Sequence, residues 1–305
     1  MLDMTTAVQT PVWRPSRLRS VLAALVYPIV LVLNRPFMGW FADLMYDVAL
    51  RCSGIAITFP GRQGLTRAEE HFLARNKARL QGGVLFDVGA NHGAYTHVLR
   101  ALAPDARIFA FEPHPRTFAV LQAAMADLSS VVLLNKAVAD RTGRFNLYDF
   151  ESDDGSTQAS LSEAAVALYA SDIVKHPVDC ITIDEFMAEK GLDHIDLLKI
   201  DTEGRDLSVL TGAQNALRDR RIGLIQFEFI PANIAIGVTM HGFFSVLQGY
   251  RIGRLCLNGS VRWLDHYDTK RCEIYVTHNL IAIPLGATLQ SPARAPARMP
   301  TSPAV

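Results

Sequence analysis

The chain has 305 residues, half of them hydrophobic and a fifth charged, with 30 Lys plus Arg against 30 Asp plus Glu. That length and apolar content allow one large domain, or two small ones, around a sizeable core. Zero net charge excludes the overall basic field that nucleic-acid binding needs, and no nucleic-acid partner is expected. Cys52, Cys180, Cys256 and Cys272 contain no C-x-x-C pair. Neither a zinc site nor a disulfide framework follows, Cys256 and Cys272 read as a reduced core pair, and the compartment reads as reducing and cytoplasmic.

Residues 1–16 are polar with Pro11 and Pro15, which predicts a disordered start. Residues 22–33 (LAALVYPIVLVL) are apolar and follow Arg14, Arg17 and Arg19. The run is shorter than the roughly 20 residues of a membrane span, and Pro28 interrupts it. Asn34-Arg35-Pro36 follows in place of the small residues of a cleavage site. Residues 37–50 are amphipathic, with Asp43 and Asp47 on the polar side. Residues 1–65 thus read as an N-terminal extension with apolar helices. These pack on the domain or on a second copy of the chain, a homodimer, the alternative being membrane-surface contact of residues 18–50.

A main domain is expected over 66–285. Thr66, followed by Glu69 and Glu70, opens a charged helix over 66–80. Strands at 84–88, 107–111 and 131–134 alternate with helices at 94–103 and 115–126. Strand-like runs at 144–150 and 178–183 flank a polar insert, 151–160, expected to be a mobile loop. A buried strand at 195–200, a helix over 205–218 and a strand at 222–229 follow. A helix at 243–247 and short antiparallel strands at 250–257, 262–264, 273–277 and 280–283 close the domain. This alternation predicts an α/β fold with a central, mostly parallel sheet covered by helices on both faces. The Pro/Ala-rich tail, 286–305, reads as disordered.

The stretch 84–96 (VLFDVGANHGAYT) is a strand, a glycine turn and a helix start, where a ligand can lie against backbone N–H groups. Its spacing is Asp87-x-Gly89-x-x-x-Gly93 and not the G-x-G-x-x-G of a dinucleotide site. Phosphate disfavours a carboxylate there. S-adenosylmethionine, which carries an ammonium, a sulfonium and no phosphate, suits Asp87. Glu112 ends the next strand, about 20 residues on, placed to accept from ribose hydroxyls. Each acid has a plainer role open to it: Asp87 as a helix cap, Glu112 as a solvated strand end.

The blocks DVGANHGAYT, FEPHPRTFAVL, ITIDEF, DLLKIDTEGRDLSVLTGA, IQFEF and NLIAIP together resemble the FkbM family of S-adenosylmethionine-dependent methyltransferases, over about two thirds of the chain. The resemblance implies a class I, Rossmann-like methyltransferase fold and O-methylation of a hydroxyl on a carbohydrate, glycolipid or secondary metabolite. The acceptor, a small molecule or glycan, is left open. His92 in the glycine loop, and Arg205 with Asp206 after the D-x-E-G block, depart from the family pattern.

Cofactor contacts are expected from Asp87, Gly89, Ala90, Asn91, Gly93 and Glu112. In the related class the third strand ends at the adenine, which points to Ala137, with Val138 beside it. Strand-end carboxylates are the candidates for alignment and proton removal: Asp201 or Glu203 as base, with Glu228 orienting a hydroxyl or helping to hold a divalent ion. The plainer alternative has Asp201 capping a helix and Glu203 paired with Arg205. No H-x-x-x-H or HExxH pair is present, so no dedicated metal site is expected. His92, His114 and His241 are candidates for ligand contact, whereas His176 and His194 read as solvated. An NAD(P)-dependent oxidoreductase is disfavoured by the missing fingerprint and by the lack of Tyr-x-x-x-Lys. A non-catalytic cofactor-binding module is disfavoured by the intact acids.

Overall fold

A computed structural model describes residues 17–126, 130–152 and 154–289. The start expected to be disordered, and the tail from 290, lie outside the described residues. The chain divides into two units, Met1–Ser53 and Gly54–Val305. That boundary precedes the expected one at 65 for a physical reason. Ile55, Ile57 and Leu65 are buried, and the Ala56 N–H donates to the Thr277 carbonyl at 3.0 Å.

The first unit holds helices Arg17–Leu33 and Gly39–Cys52 with a 3-10 turn, Pro36–Met38, between them. Pro36 disfavours helical backbone at Arg35, which is extended, and the first helix ends before it, at Leu33. The segments Ala24–Leu33 and Pro36–Cys52 meet at 93°. Among the described residues, no single helix is long and apolar enough to cross a membrane.

The second unit opens with helix Arg67–Arg75, where Thr66 and Glu69 form a reciprocal capping box. It stops at Asn76, whose side chain donates to the Phe72 carbonyl at 2.8 Å, so the single helix expected over 66–80 is two. The strands are β1 (Val84–Val88), β2 (Arg107–Phe111), β3 (Val131–Leu134), β4 (Ala137–Val138), β5 (Gly143–Phe150), β6 (Ile173–Ile181), β7 (Leu197–Ile200), β8 (Ile225–Phe229), β9 (Tyr250–Leu255), β10 (Val261–Leu264) and β11 (His278–Pro284). Eight of them form one sheet in the order β10-β9-β11-β8-β7-β1-β2-β3. From β3 to β8 the pairing is parallel, and β11, β9 and β10 are antiparallel. The expected sheet is therefore present.

Other features differ from the sequence reading: the helix expected over 205–218 is two, Asp206–Thr211 and Gln214–Arg218, and the strand expected at 178–183 is Ile173–Ile181. β4, β6 and β5 leave the main sheet and form a small one of their own. No strand forms over 273–277, and a short helix, Thr269–Cys272, precedes it. Glu273 instead accepts the Met240 and His241 N–H groups, both at 3.0 Å, at the start of helix Met240–Val246.

Alternation along the strands sends Phe86, Phe109 and Phe111 to one face of the sheet. There they meet Phe186 edge-on, with ring centroids 5.0–5.5 Å apart. Leu85, Ile108 and Leu197 face the other way, against Phe72, Leu73, Val98 and Leu99. Burial of each such side chain contributes about 1.5–3 kcal/mol, so both faces are anchored by packing. After β1 the chain runs to one side through β2 and β3, and later returns on the other through β7. The order reverses at the β1–β7 boundary, and that crevice is where open α/β sheets bind ligands.

Candidate active site

A cavity of about 350 Å³ lies at these strand ends, lined by Gly89, Ala90, Asn91, Glu112, Ala137, Asp201 and Glu203 among others. Gly89 has φ +77°, and a Cβ there would overlap the Asp201 carbonyl oxygen, so only glycine lets the turn sit against the end of β7. The five N–H groups from Gly89 to Gly93 are all used inside the protein. Gly89 and Ala90 donate to the Phe111 carbonyl, Gly93 to that of Ala90, Asn91 to Glu112 Oε2 and His92 to Asn91 Oδ1. This corrects the expectation of a turn that offers its N–H groups to a ligand. Gly93 is also corrected: it does not line the cavity, and its missing side chain makes room for Met125 and Leu121, which a Cβ would approach to 2.6 and 2.7 Å.

Asp87 is fully buried beneath the turn and does not line the cavity either. Strand register sets it beside Lys199. Lys199 Nζ lies 3.2 Å from Asp87 and 3.3 Å from Asp201, and donates to the Gly89 carbonyl at 3.1 Å. Thr96 Oγ1 donates to the other Asp87 oxygen at 2.6 Å. Burial acts to lower the Lys199 pKa, but Asp87, Asp201 and Glu69 overturn that and raise it above the ordinary lysine value. A buried ammonium needs such a partner, and Asp87 supplies it from beneath the turn.

Glu112 holds the turn from the β2 side. Its Oε2 accepts from Asn91 and its Oε1 from the His114 N–H, both at 2.8 Å. Burial pushes its pKa up to about 7, against the pull of those two N–H groups and Lys199. The Asn135 side chain donates to the Glu112 and Pro113 carbonyls at 2.9 and 3.0 Å, and fixes the approach to Lys136, Ala137 and Val138 in the cavity wall.

On the β7 side Asp201, Thr202 and Glu203 line the cavity. Glu203 has φ +50°, an unfavourable backbone for a residue with a side chain. Its carbonyl accepts from Ser160 Oγ at 2.9 Å. Burial, then the charges of Asp201 and Asp206, drive the Glu203 carboxyl well above the usual carboxylate range. Asp201 does not cap the following helix, and the Arg205 guanidinium hydrogen-bonds Ser208.

Asp206 organises this corner and was not singled out from the sequence as a site residue. It is buried and accepts from the Thr202 N–H (2.9 Å), Thr202 Oγ1 (2.6 Å) and the Glu228 N–H (2.8 Å), tying the β7 turn to β8. The Thr-x-x-x-Asp spacing was the available signal. Glu228 is a further correction, because it lies outside the cavity wall and accepts from the Asn279 side chain at 2.9 Å. Burial first, then Asp201 and Glu203, raise its pKa. Glu69, read from sequence only as a capping residue, does line the cavity, and its Oε1 accepts from Gln226 Nε2 at 2.8 Å.

The polar insert is held in place along much of its length. Buried Asp149 accepts the N–H groups of Gly155 (2.7 Å) and Ser156 (3.0 Å). Asp154 Oδ1 is met by His114 Nε2 at 2.8 Å and His176 Nε2 at 2.7 Å, while Arg116 holds the other oxygen at 3.1 Å. Burial opposes ionisation of Asp154, but Arg116, His176 and His114 prevail and hold its pKa at about 2. These distances are hydrogen-bond lengths, so the His114–Asp154–His176 group, whose ligand atoms lie within 4.8 Å of one another, acts as a clamp. His176 is therefore not simply solvated. Through the clamp Ser156, Thr157 and Ser160 become part of the cavity wall. His92 lines the cavity, whereas His114 and His241 do not.

The chain is similar to several known methyltransferases. The chain is 29% identical over 146 residues to the 2-O-methyltransferase NoeI of Sinorhizobium fredii, covering 45% of this chain and 60% of that protein. It is 27% identical over 195 residues to the 31-O-demethyl-FK506 methyltransferase FkbM of Streptomyces tacrolimicus, covering 55% and 75%. It is 25% identical over 146 residues to the hexuronic acid methyltransferase AglP of Haloferax volcanii, covering 48% and 56%. The chain thus spans less than two thirds of the length of NoeI and AglP. The family model of the methyltransferase FkbM domain matches residues 87–252, more than half of the chain and nearly all of the site just described, and the chain belongs to that family.

Proposed function

We propose that the chain is a cytoplasmic S-adenosylmethionine-dependent methyltransferase that methylates a hydroxyl oxygen of a carbohydrate, glycolipid or secondary metabolite. The observation that carries this reading is a glycine turn whose N–H groups are all spent, facing a wall of carboxylates. A pyrophosphate would find few free N–H donors there and acidic side chains in place of cationic ones along most of the wall, which disfavours a dinucleotide. A cationic ligand without phosphate fits. Relatives named for 2-O-methylation and for methylation of a hexuronic acid support a sugar hydroxyl as acceptor.

When bound, S-adenosylmethionine supplies a methyl carbon activated on sulfur: the C–S bond breaks with its electron pair left on sulfur as the C–O bond forms. Glu112 is assigned to the ribose hydroxyls, Gly89, Ala90 and Asn91 to close approach, and Ala137 with Val138 to the adenine wall. Asp87 acts through Lys199, which it keeps charged and aimed at the Gly89 carbonyl. Glu203 is the base that takes the acceptor proton, because it lines the cavity at the end of β7 and its surroundings raise its proton affinity. Asp201, held by Lys199, orients the hydroxyl, and the charges of Asp201 and Asp206 raise the proton affinity of Glu203, while Glu228 stands behind the wall, held by Asn279.

Titration calorimetry with S-adenosylmethionine, its demethylated product and NADH tests the cofactor. Micromolar binding of the first two and none of NADH is expected. NADH binding in their place would remove the reading.

A further inference from the structure

Ala24 to Val32 are exposed at nine successive positions. Leu25, Tyr27, Ile29 and Val32 have 55–65% of their surface in solvent. At 100° per residue such a run covers every direction around the helix axis, so the helix is apolar all round and has no polar face to turn to water. A second copy of the chain would cover one side only. Hydrocarbon covers all of them.

The remaining features of the unit fit a bilayer and set its depth. Residues 21–33 make an apolar rod of about 20 Å, against a hydrocarbon core of roughly 30 Å. After it come Asn34 and Arg35, a turn of 93°, and a helix in which Asp43, Asp47 and Arg51 recur at four-residue spacing on one face. Phe37, Trp40 and Tyr46 are 58–75% exposed around that bend and along that helix. Aromatic rings of this kind settle at the headgroup level. Residues 1–53 carry five arginines and three aspartates, although the whole chain has no net charge. We propose that residues 17–52 are a monotopic membrane anchor. Helix Arg17–Leu33 sinks its apolar middle below one face with both arginine-bearing ends at the headgroups, helix Gly39–Cys52 lies in the interface, and the arginines favour anionic lipid.

The test is flotation of the full-length protein with sealed vesicles of phosphatidylcholine, alone or mixed equally with phosphatidylglycerol. Binding to both is expected, tighter with the anionic lipid and weakened by salt. Leu25→Glu with Val30→Glu should lower binding by about tenfold or more while S-adenosylmethionine affinity stays that of the unaltered chain, which separates loss of the anchor from misfolding. Bromines deep on the acyl chain should quench a tryptophan introduced by Leu25→Trp more strongly than shallow ones, and Trp40 should show the reverse. Absence of flotation would overturn the proposal, as would equal shallow quenching at both positions. Protection of an N-terminal tag inside the vesicles would mean a crossing segment. A lipid-free dimer that the double variant dissolves, without vesicle binding, would assign the surface to a second copy.

Discussion

The two sides of the cavity treat their polar groups in opposite ways. On the β1–β2 side, hydrogen bonds close within the protein: Glu112 holds two N–H groups, and the turn donates to Phe111, Glu112 and its own residues. On the β7 side Asp201 is paired with the Lys199 ammonium and Glu203 crowds beside it, its proton held far above the usual range by burial and by the charges of Asp201 and Asp206. The first side is rigid before any ligand arrives, which suits a cofactor that must be placed the same way each time. The second carries raised proton affinity, which under the proposed function serves to move a proton. Substitutions on the two sides should therefore separate binding from turnover.

The largest effect is expected where the sides touch. Gly89→Ala would press a methyl group onto the Asp201 carbonyl in a backbone with φ +77°. Loss of cofactor binding and a clear fall in melting temperature are expected by calorimetry and thermal unfolding, and a variant with unaltered affinity would refute the role of this contact.

Glu203→Gln comes next. It should lower kcat by roughly 10²–10⁴ with little change in cofactor affinity, as loss of a general base does. In the unaltered chain kcat should rise with pH as Glu203 loses its proton, and that limb should vanish in the variant. Smaller again, Glu112→Gln should weaken S-adenosylmethionine by about tenfold or more, the scale of hydrogen bonds to a charged group.

Glu112 also gives a stability signature. Its folded pKa, about 7, is above the unfolded value, so the folded state binds its proton more tightly. That contribution is complete below the ordinary glutamate value and is lost as pH rises through 7; the loss is on the order of 3 kcal/mol. Glu112→Gln should flatten stability between about pH 4.5 and 7. Smallest is the clamp: His176→Ala frees one of three partners of Asp154 and should loosen the insert, seen as faster amide exchange over 150–160 and a few-fold weaker cofactor binding.

Much of this was legible in the residues. Periodicity and glycine placement gave the parallel sheet and the turn, and spacing brought Glu112, Asp201 and Glu203 to one cavity. What failed did so where a side chain serves another side chain. Asp87 was read as facing the ligand because nothing in the sequence pairs it with Lys199, 112 positions away; only strand register does. A polar composition suggests a mobile insert and does not reveal that Asp149 accepts its N–H groups and that Asp154 ties it to His114 and His176 from other elements. Glu228 was placed by its strand end, but Asn279 on the neighbouring antiparallel strand holds it outside the wall.

The most direct measurement takes Glu112→Gln and Glu203→Gln side by side, with S-adenosylmethionine affinity read by calorimetry and turnover read by transfer of labelled methyl to a glycan acceptor. We expect the first to lose affinity, and the second to lose turnover and keep affinity. Equal loss of both quantities in both variants would contradict the division of the cavity into a cofactor side and a proton-accepting side.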